Sequence, residues 1–230
     1  MDNTTNITAK FMTDYELKNI DSEEIEDWLV KVETSFDITF ADSELSHVTT
    51  FGELCDHITN KIQLNKVDDC TSQQAFHKLR HAISLTLEVD NNAILPNQQL
   101  ANLFPRQNRR EKIEQIEQNL GFRLNILRLP YWMTAILFIL FLVSLVGLCF
   151  YWQIGLLGLV VSISGLFFAT KIGNEFDLQT VGQVAQKMTR ENYLKSRRNQ
   201  KTFNKREIEK VLTDWFSEDF NLNKIKFLNP

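Results

Sequence analysis

The sequence predicts an all-α protein, and three observations carry that prediction. Residues 130–172 hold two nearly uncharged apolar runs, Tyr131 to Phe150 and Ile154 to Thr170, separated only by Tyr151, Trp152 and Gln153. In the polar remainder, apolar residues recur every three or four positions, the period of a helix with one buried face. These runs open on residues that cap helix amino ends, Asp21 with Ser22 and Thr71 with Gln74 among them. Four segments follow: a helical bundle over 1–65, a helical connector over 66–129, a transmembrane hairpin over 130–172, and a helical segment over 173–230.

The hairpin decides where the rest of the chain works. A helix rises about 1.5 Å per residue, so about 20 apolar residues cross a hydrocarbon core of about 30 Å. A gap of three residues then forces the spans antiparallel and both flanks onto one side. Arg123 and Arg128 precede the first span, Lys171, Lys187 and Arg190 follow the second, and the tip is uncharged. The basic-flank bias therefore predicts a two-pass protein of the cell (inner) membrane with both termini cytoplasmic. Tyr131, Trp132, Tyr151 and Trp152 stand at the span ends, where aromatic rings anchor to the interface. The spans contain no Asp, Glu, Lys, Arg or His, so they offer no proton or ion relay. Small residues (Ser144 and Gly147; Gly158, Ser162, Gly165 and Ala169) predict a close seam between them, with self-association of the chain as the second reading.

Charge divides the chain. Residues 1–65 carry four lysines against fourteen acidic residues, whereas the remainder carries twenty-one basic against fifteen acidic. An acidic front end disfavours nucleic acid and favours basic protein partners. Cys55, Cys70 and Cys149 have no paired spacing, so neither a disulfide framework nor a zinc site is indicated. His77 and His81 share a helix face without a third ligand at a supporting spacing, which points to solvated surface rather than a metal. No phosphate loop, dinucleotide fingerprint or triad is present, and the expectation is a protein that is not an enzyme.

The N-terminal bundle begins at Asp21 and Ser22. Ile25, Trp28, Leu29, Val32 and Phe36 form the buried stripe of the first helix, and Phe51, Leu54, Cys55, Ile58 and Ile62 that of the second. Glu23, Glu24, Glu26, Asp27 and Glu33 load the opposite face with carboxylates. These suit the positive end of the helix dipole but repel one another until something basic docks.

The stretches Asp21-Ser22-Glu23-Glu24-Ile25, Phe36-Asp37-Ile38-Thr39-Phe40 and Val48-Thr49-Thr50-Phe51-Gly52-Glu53-Leu54 resemble the second half of an acyl carrier protein. The likeness covers about 45 residues by count of the quoted span. It implies that Ser22, flanked by Asp21, carries a 4′-phosphopantetheine arm whose thiol holds an acyl group as a thioester. The acidic face (Glu23, Glu24, Glu26, Asp27, Glu33) then docks a phosphopantetheinyl transferase and acyl-transferring enzymes of lipid or polyketide-type assembly at the bilayer. Glu23 stands where the family has leucine, and the family's first helix has no counterpart ahead of Ser22. Read from the residues alone, Asp21 with Glu24 is equally a capping box, in which both Asp21 and Ser22 serve only the helix amides. A non-modified adaptor that recruits a basic partner through the same acidic helix is the alternative.

The C-terminal segment offers the missing helix. Ile208, Val211, Leu212, Trp215, Phe216 and Phe220 make an apolar stripe, followed by Asn221-Leu222-Asn223-Lys224-Ile225. One reading is that this helix completes the N-terminal bundle in permuted order; the other is an amphipathic helix resting on the membrane or binding another subunit. Upstream, Leu178-Gln179-Thr180-Val181-Gly182-Gln183-Val184 echoes Val48 to Leu54, as a degenerate repeat or as two similar helix starts. In the connector, Arg106, Arg109, Arg110 and Lys112 cluster, available to lipid headgroups, to the acidic face or to solvent alone.

Overall fold

Helix starts and stops in this chain are written in cap chemistry, and the computed structural model follows them over the described residues, 14–222. The protein is mostly helical. In chain order the helices are α1 (Ser22–Phe36), α2 (Phe51–Lys61), α3 (Thr71–Leu87), α4 (Leu100–Leu103), α5 (Arg109–Leu120), α6 (Tyr131–Phe150), α7 (Trp152–Ile172), α8 (Val181–Glu191), α9 (Tyr193–Ser196) and α10 (Lys205–Asp219). Two 3-10 turns, Leu17–Asn19 and Asn91–Ala93, and four two-residue strands complete the description. Strand β1 (Asn65–Lys66) pairs in parallel with β4 (Thr202–Phe203), and β2 (Leu127–Arg128) pairs antiparallel with β3 (Glu175–Phe176). Contacts divide the chain into two compact units, residues 1–79 with 185–230, and residues 80–184.

The first unit is built from both ends of the chain. Trp28, Val32 and Phe36 of α1, Phe51, Leu54 and Ile58 of α2, and Ile208, Leu212, Trp215 and Phe216 of α10 bury into one core. Trp28 meets Trp215 at 5.8 Å and Phe216 at 5.3 Å between ring centres, both edge to face, and Phe51 lies 4.2 Å from Phe216. Edge-to-face packing of this kind adds about 0.5–1.5 kcal/mol per pair beyond the area buried. The hydroxyl of Ser35 donates to Arg190 O at 2.6 Å and accepts from Tyr193 N at 3.0 Å, tying the end of α1 to the α8–α9 corner.

One buried cation organises the start of α10. Arg197 has no solvent exposure; it donates to the hydroxyls of Thr71 and Thr202 and to the Asp69 carboxylate, and its Nη1 lies 3.9 Å from Glu207. Glu207 in turn accepts from Thr71 N (2.8 Å) and Ser72 N (3.1 Å), so α10 caps the start of α3. Burial pushes the Glu207 carboxyl up, but these hydrogen bonds outweigh it and leave its pKa below the usual range.

The echo between residues 48–54 and 178–184 extends well beyond seven positions. Glu16 bridges Thr50, with Leu17 N on Thr49 O (3.0 Å) and Phe51 N on Tyr15 O (2.9 Å). Gln99 bridges Thr180, with Leu100 N on Gln179 O (2.8 Å) and Val181 N on Gln98 O (3.1 Å). Thr50 caps α2 while Glu53 returns to the amides of Thr49 and Thr50, and Thr180 caps α8 while Gln183 returns to those of Gln179 and Thr180. At the far ends of α1 and α5, Asp37 and Gly121 adopt left-handed backbone with their amides on Glu33 O and Glu117 O. The same two glutamates reach forward seven residues, to the amides of Phe40 and Leu124. Buried positions of α3 (Ala75, Leu79, Ala82, Ile83) recur at one spacing in α10 (Ile208, Leu212, Trp215, Phe216), and each helix is followed by a left-handed residue, Glu88 or Asn221. The chain is thus two repeats of one helical motif: α3, α4, α5 and α8 in order, and α1 and α2 with α10 as their first helix.

The repeats differ most in one loop. Where the first runs from Phe40 to Thr49 through 41–48, the second inserts 125–178 with α6 and α7. Tyr151 is at once the C-cap of α6 and the N-cap of α7, which run antiparallel. A β-carbon added at Gly155 or Gly158 would collide with the backbone of Leu148 or with Ser144, so these glycines permit the close seam. Among the described residues, one helix is long and apolar enough to cross a membrane: Tyr131–Leu148, with mean hydropathy 2.3 and 6 % of the stretch buried. The expected second span includes Ile154, Leu166, Ala169 and Thr170, whose side chains lie outside the described residues; Gly155–Gly165 is a shorter apolar stretch.

Two of the connector arginines, Arg106 and Arg109, are spent at the hairpin base. Arg109, 6 % exposed, donates to Phe104 O (3.0 Å) and Asn174 O (2.6 Å) and stacks 4.4 Å from the Phe176 ring. Arg106 pairs with Glu175 at 2.5 Å, Arg110 with Glu114 at 3.3 Å, and Lys112 donates to Thr86 O at 3.0 Å.

Because α10 supplies the third wall of the first core, removing residues 204–230 will lower the melting temperature of that unit. Trp215→Ala will cost about 3–5 kcal/mol in chemical denaturation. Unchanged melting in both variants would show that α1 and α2 hold themselves together.

Candidate functional site

Ser22 is the first residue of α1 and is exposed. The cap belongs to its neighbour: Asp21, in extended backbone, accepts from Glu23 N at 2.9 Å. That amide belongs to the second helical residue rather than the third, and Glu24 makes no return bond, so the box expected from Asp21 and Glu24 does not form; Ser22 takes no part in the cap. The Ser22 hydroxyl therefore stands at the positive end of a four-turn helix with no capping duty.

Beside it runs a groove of about 310 Å³ lined by Leu17, Lys18, Ile20, Ile25, Glu26, Leu29, Leu45, Val48 and Leu54, with Ser22 on its rim. Two elements shape it. The short 3-10 turn Leu17–Asn19 is held by the Glu16–Thr50 bridge, and the loop 41–48 brings in Leu45 and Val48. That loop is pinned by Glu44, whose carboxylate accepts from Ala41 N (2.8 Å), Lys61 Nζ (2.6 Å) and His57 Nε2 (2.7 Å). The Lys61 ammonium first, then the Ala41 amide and the His57 ring, hold the Glu44 carboxyl down at about 2, from an ordinary 4.5.

The carboxylates expected on the outer face divide into two groups. Glu23, Glu24, Glu26 and Asp27 are exposed, and no described basic side chain pairs with them. Glu33 is half-buried and committed to the Phe40 amide, part of the turn that ends α1. Lys31, the cation of the same helix, is drawn away to Asp219 at 3.0 Å. The exposed four crowd the first two turns around Ser22.

In the second repeat the positions equivalent to Asp21 and Ser22, counted back from the Glu33 and Glu117 pair, are Pro105 and Arg106. The hydroxyl is missing there, and Arg106 clasps the hairpin base instead. Loop 41–48 as a groove wall was not anticipated from the sequence; its signal, Glu44 spaced from His57 and Lys61, lies in pairwise contacts that a linear pattern does not display. No cluster of metal-ligating side chains occurs among the described residues. No protein-family model, curated protein or solved structure matches the chain.

Glu44 gives the site a pH dependence. Its folded pKa lies below the unfolded value, so the stabilisation is complete above about 4.5 and is lost as pH falls towards about 2. Wild type will exceed Glu44→Gln in melting temperature at neutral pH, and the gap will close over that acid window. A gap independent of pH would show that Glu44 acts through packing alone.

Proposed function

We propose that this protein is a membrane-anchored, acyl-carrier-like protein whose Ser22 bears a phosphopantetheine arm. The observation that carries the reading is the position of Ser22: exposed at the first turn of α1, relieved of capping by Asp21, and bordering an apolar groove. A phosphodiester on this hydroxyl meets free amides at the helix end, the ordinary environment of a bound phosphate. Glu23, Glu24, Glu26 and Asp27 form the docking surface for basic partners, a phosphopantetheinyl transferase and acyl-transferring enzymes of lipid or polyketide-type assembly.

The α6–α7 pair is the anchor, a two-pass hairpin with both termini cytoplasmic. Support comes from its outward faces: Ile136, Ile139, Val143, Val146, Leu157 and Phe168 are each more than half exposed. That much contiguous apolar surface is unfavourable in water and ordinary in lipid. Tethering raises the local concentration of cargo near membrane enzymes.

The second reading, an unmodified adaptor that recruits a basic partner through α1, is favoured by one observation: the sister repeat keeps the fold without the serine. Intact mass after coexpression with a phosphopantetheinyl transferase separates the two. The carrier gains the mass of one arm and Ser22→Ala does not; an unshifted wild type, under conditions that modify an ordinary carrier, establishes the adaptor instead. For the anchor, cysteines placed singly at Asp14 and Asp219 in a chain with Cys70→Ser will both react with an impermeant thiol reagent only after inner-membrane vesicles are inverted. Labelling of the two from opposite sides would refute the two-pass arrangement.

A further inference from the structure

The first unit is electrically polar along α1. Its amino end carries the unpaired Glu23, Glu24, Glu26 and Asp27. Its carboxyl end lines a cavity together with Lys195, Gln200 and Lys201, and Asp37 is the carboxylate in that lining. Fifteen residues of helix separate the poles by roughly 20 Å. From Lys187 to Arg206 the chain holds eight cations and one carboxylate, Glu191. Some of these are spent: Arg190 pairs with Glu218, and Arg197 is buried. Lys195, Arg198 and Lys201 are exposed, and none is in an ion pair with a described residue. The attraction of a helix carboxyl end for cations is about 0.3–1 kcal/mol and calls for one or two of them, not a loop of three.

The loop that presents them is held firmly. Arg197 anchors it from beneath, Lys78 Nζ donates to Lys195 O (2.6 Å) and Arg197 O (3.1 Å), Thr202 Oγ1 donates to Asn199 O (2.8 Å), and β4 pairs with β1. An ordered loop pays little entropy on binding, so its charges are available for a partner.

We propose that the 195–201 loop docks on the anionic phospholipid headgroups of the bilayer, turning the acidic end of α1, with Ser22, away from the membrane. The inference rests on the two-pass anchor, which keeps the loop some twenty residues of chain from the lipid surface by count from Gly173. Such cations gain about 1 kcal/mol each near an anionic leaflet, whereas the α1 carboxylates are repelled by it. The two effects act in the same direction on one compact unit. Ser22 modification is not required.

The test uses the full chain with Cys70→Ser and Cys149→Ser, a fluorophore on Gln200→Cys or, separately, on Glu24→Cys, and vesicles carrying a headgroup-attached quencher. Vesicles are of phosphatidylcholine alone or with phosphatidylglycerol. Resistance to alkaline extraction first confirms insertion in both compositions; failure there refutes the anchor rather than the loop. In inserted protein, quenching at position 200 is expected to rise several-fold with phosphatidylglycerol. The rise will vanish in high salt and in both Lys195→Gln/Arg198→Gln/Lys201→Gln and Lys195→Glu/Arg198→Glu/Lys201→Glu, while position 24 stays unquenched throughout. Equal quenching at 200 in the two compositions, or stronger quenching at 24 than at 200, overturns the proposal. So does self-quenching at 200 that grows with protein density in neutral vesicles, which would assign the loop to the acidic helix of a second copy.

Discussion

Trp28 acquires its core only when Trp215 and Phe216 reach it from the other end of the chain. Two helices cannot enclose a stripe that includes Trp28, Phe36 and Phe51; a third wall is needed to exclude water, and α10 is that wall. The hydroxyl of Ser35, the buried Arg197 and the β1–β4 pairing all serve the same closure, because each joins a residue ahead of position 80 to one beyond 185. The groove beside Ser22 depends on it in turn, since Leu54 and Leu29 are positioned by the helices that α10 braces.

Repetition explains how a chain can be arranged in this order. Each motif needs a capped first helix, a bridge, a second helix ended by a left-handed residue, and a threonine-capped third helix. The second copy has these consecutively and the first has them split across the termini. Equivalent positions have then been given different work. The glutamate that latches the turn after α1 does the same after α5, yet the serine at the head of α1 becomes an arginine that closes the base of a hairpin. The loop that lines a groove in one copy holds two long apolar helices in the other.

Much of this was legible in the residues. The helical periodicity of 25–36, 51–62 and 204–220 named the core side chains that α1, α2 and α10 supply, because a buried face leaves a regular trace in composition, but not Tyr193, Leu194 and Phe203, which stand outside those stripes. The apolar runs after Pro130 located α6 and α7 for a different reason, an unbroken stretch without charge rather than a periodic buried face. The bridges, the Glu33 latch and the Glu44 clamp were not legible, since each is a single polar contact between residues whose spacing has no period. At the site, the exposed carboxylates were readable from helix phase. The release of Ser22 from capping was not, because Asp21 and Ser22 are both good caps and only geometry shows which one serves.

The split repeat also sets a problem in biosynthesis. Translation proceeds at about 5–20 residues per second, so α1 and α2 leave the ribosome on the order of ten seconds before α10 is made. Meanwhile the intervening apolar helices α6 and α7 are synthesised. Through that interval the stripe around Trp28 lacks its third side, and such surface is what holding chaperones cover. Closure of that core is therefore timed by the synthesis of α10 rather than by the local folding rate of α1 and α2.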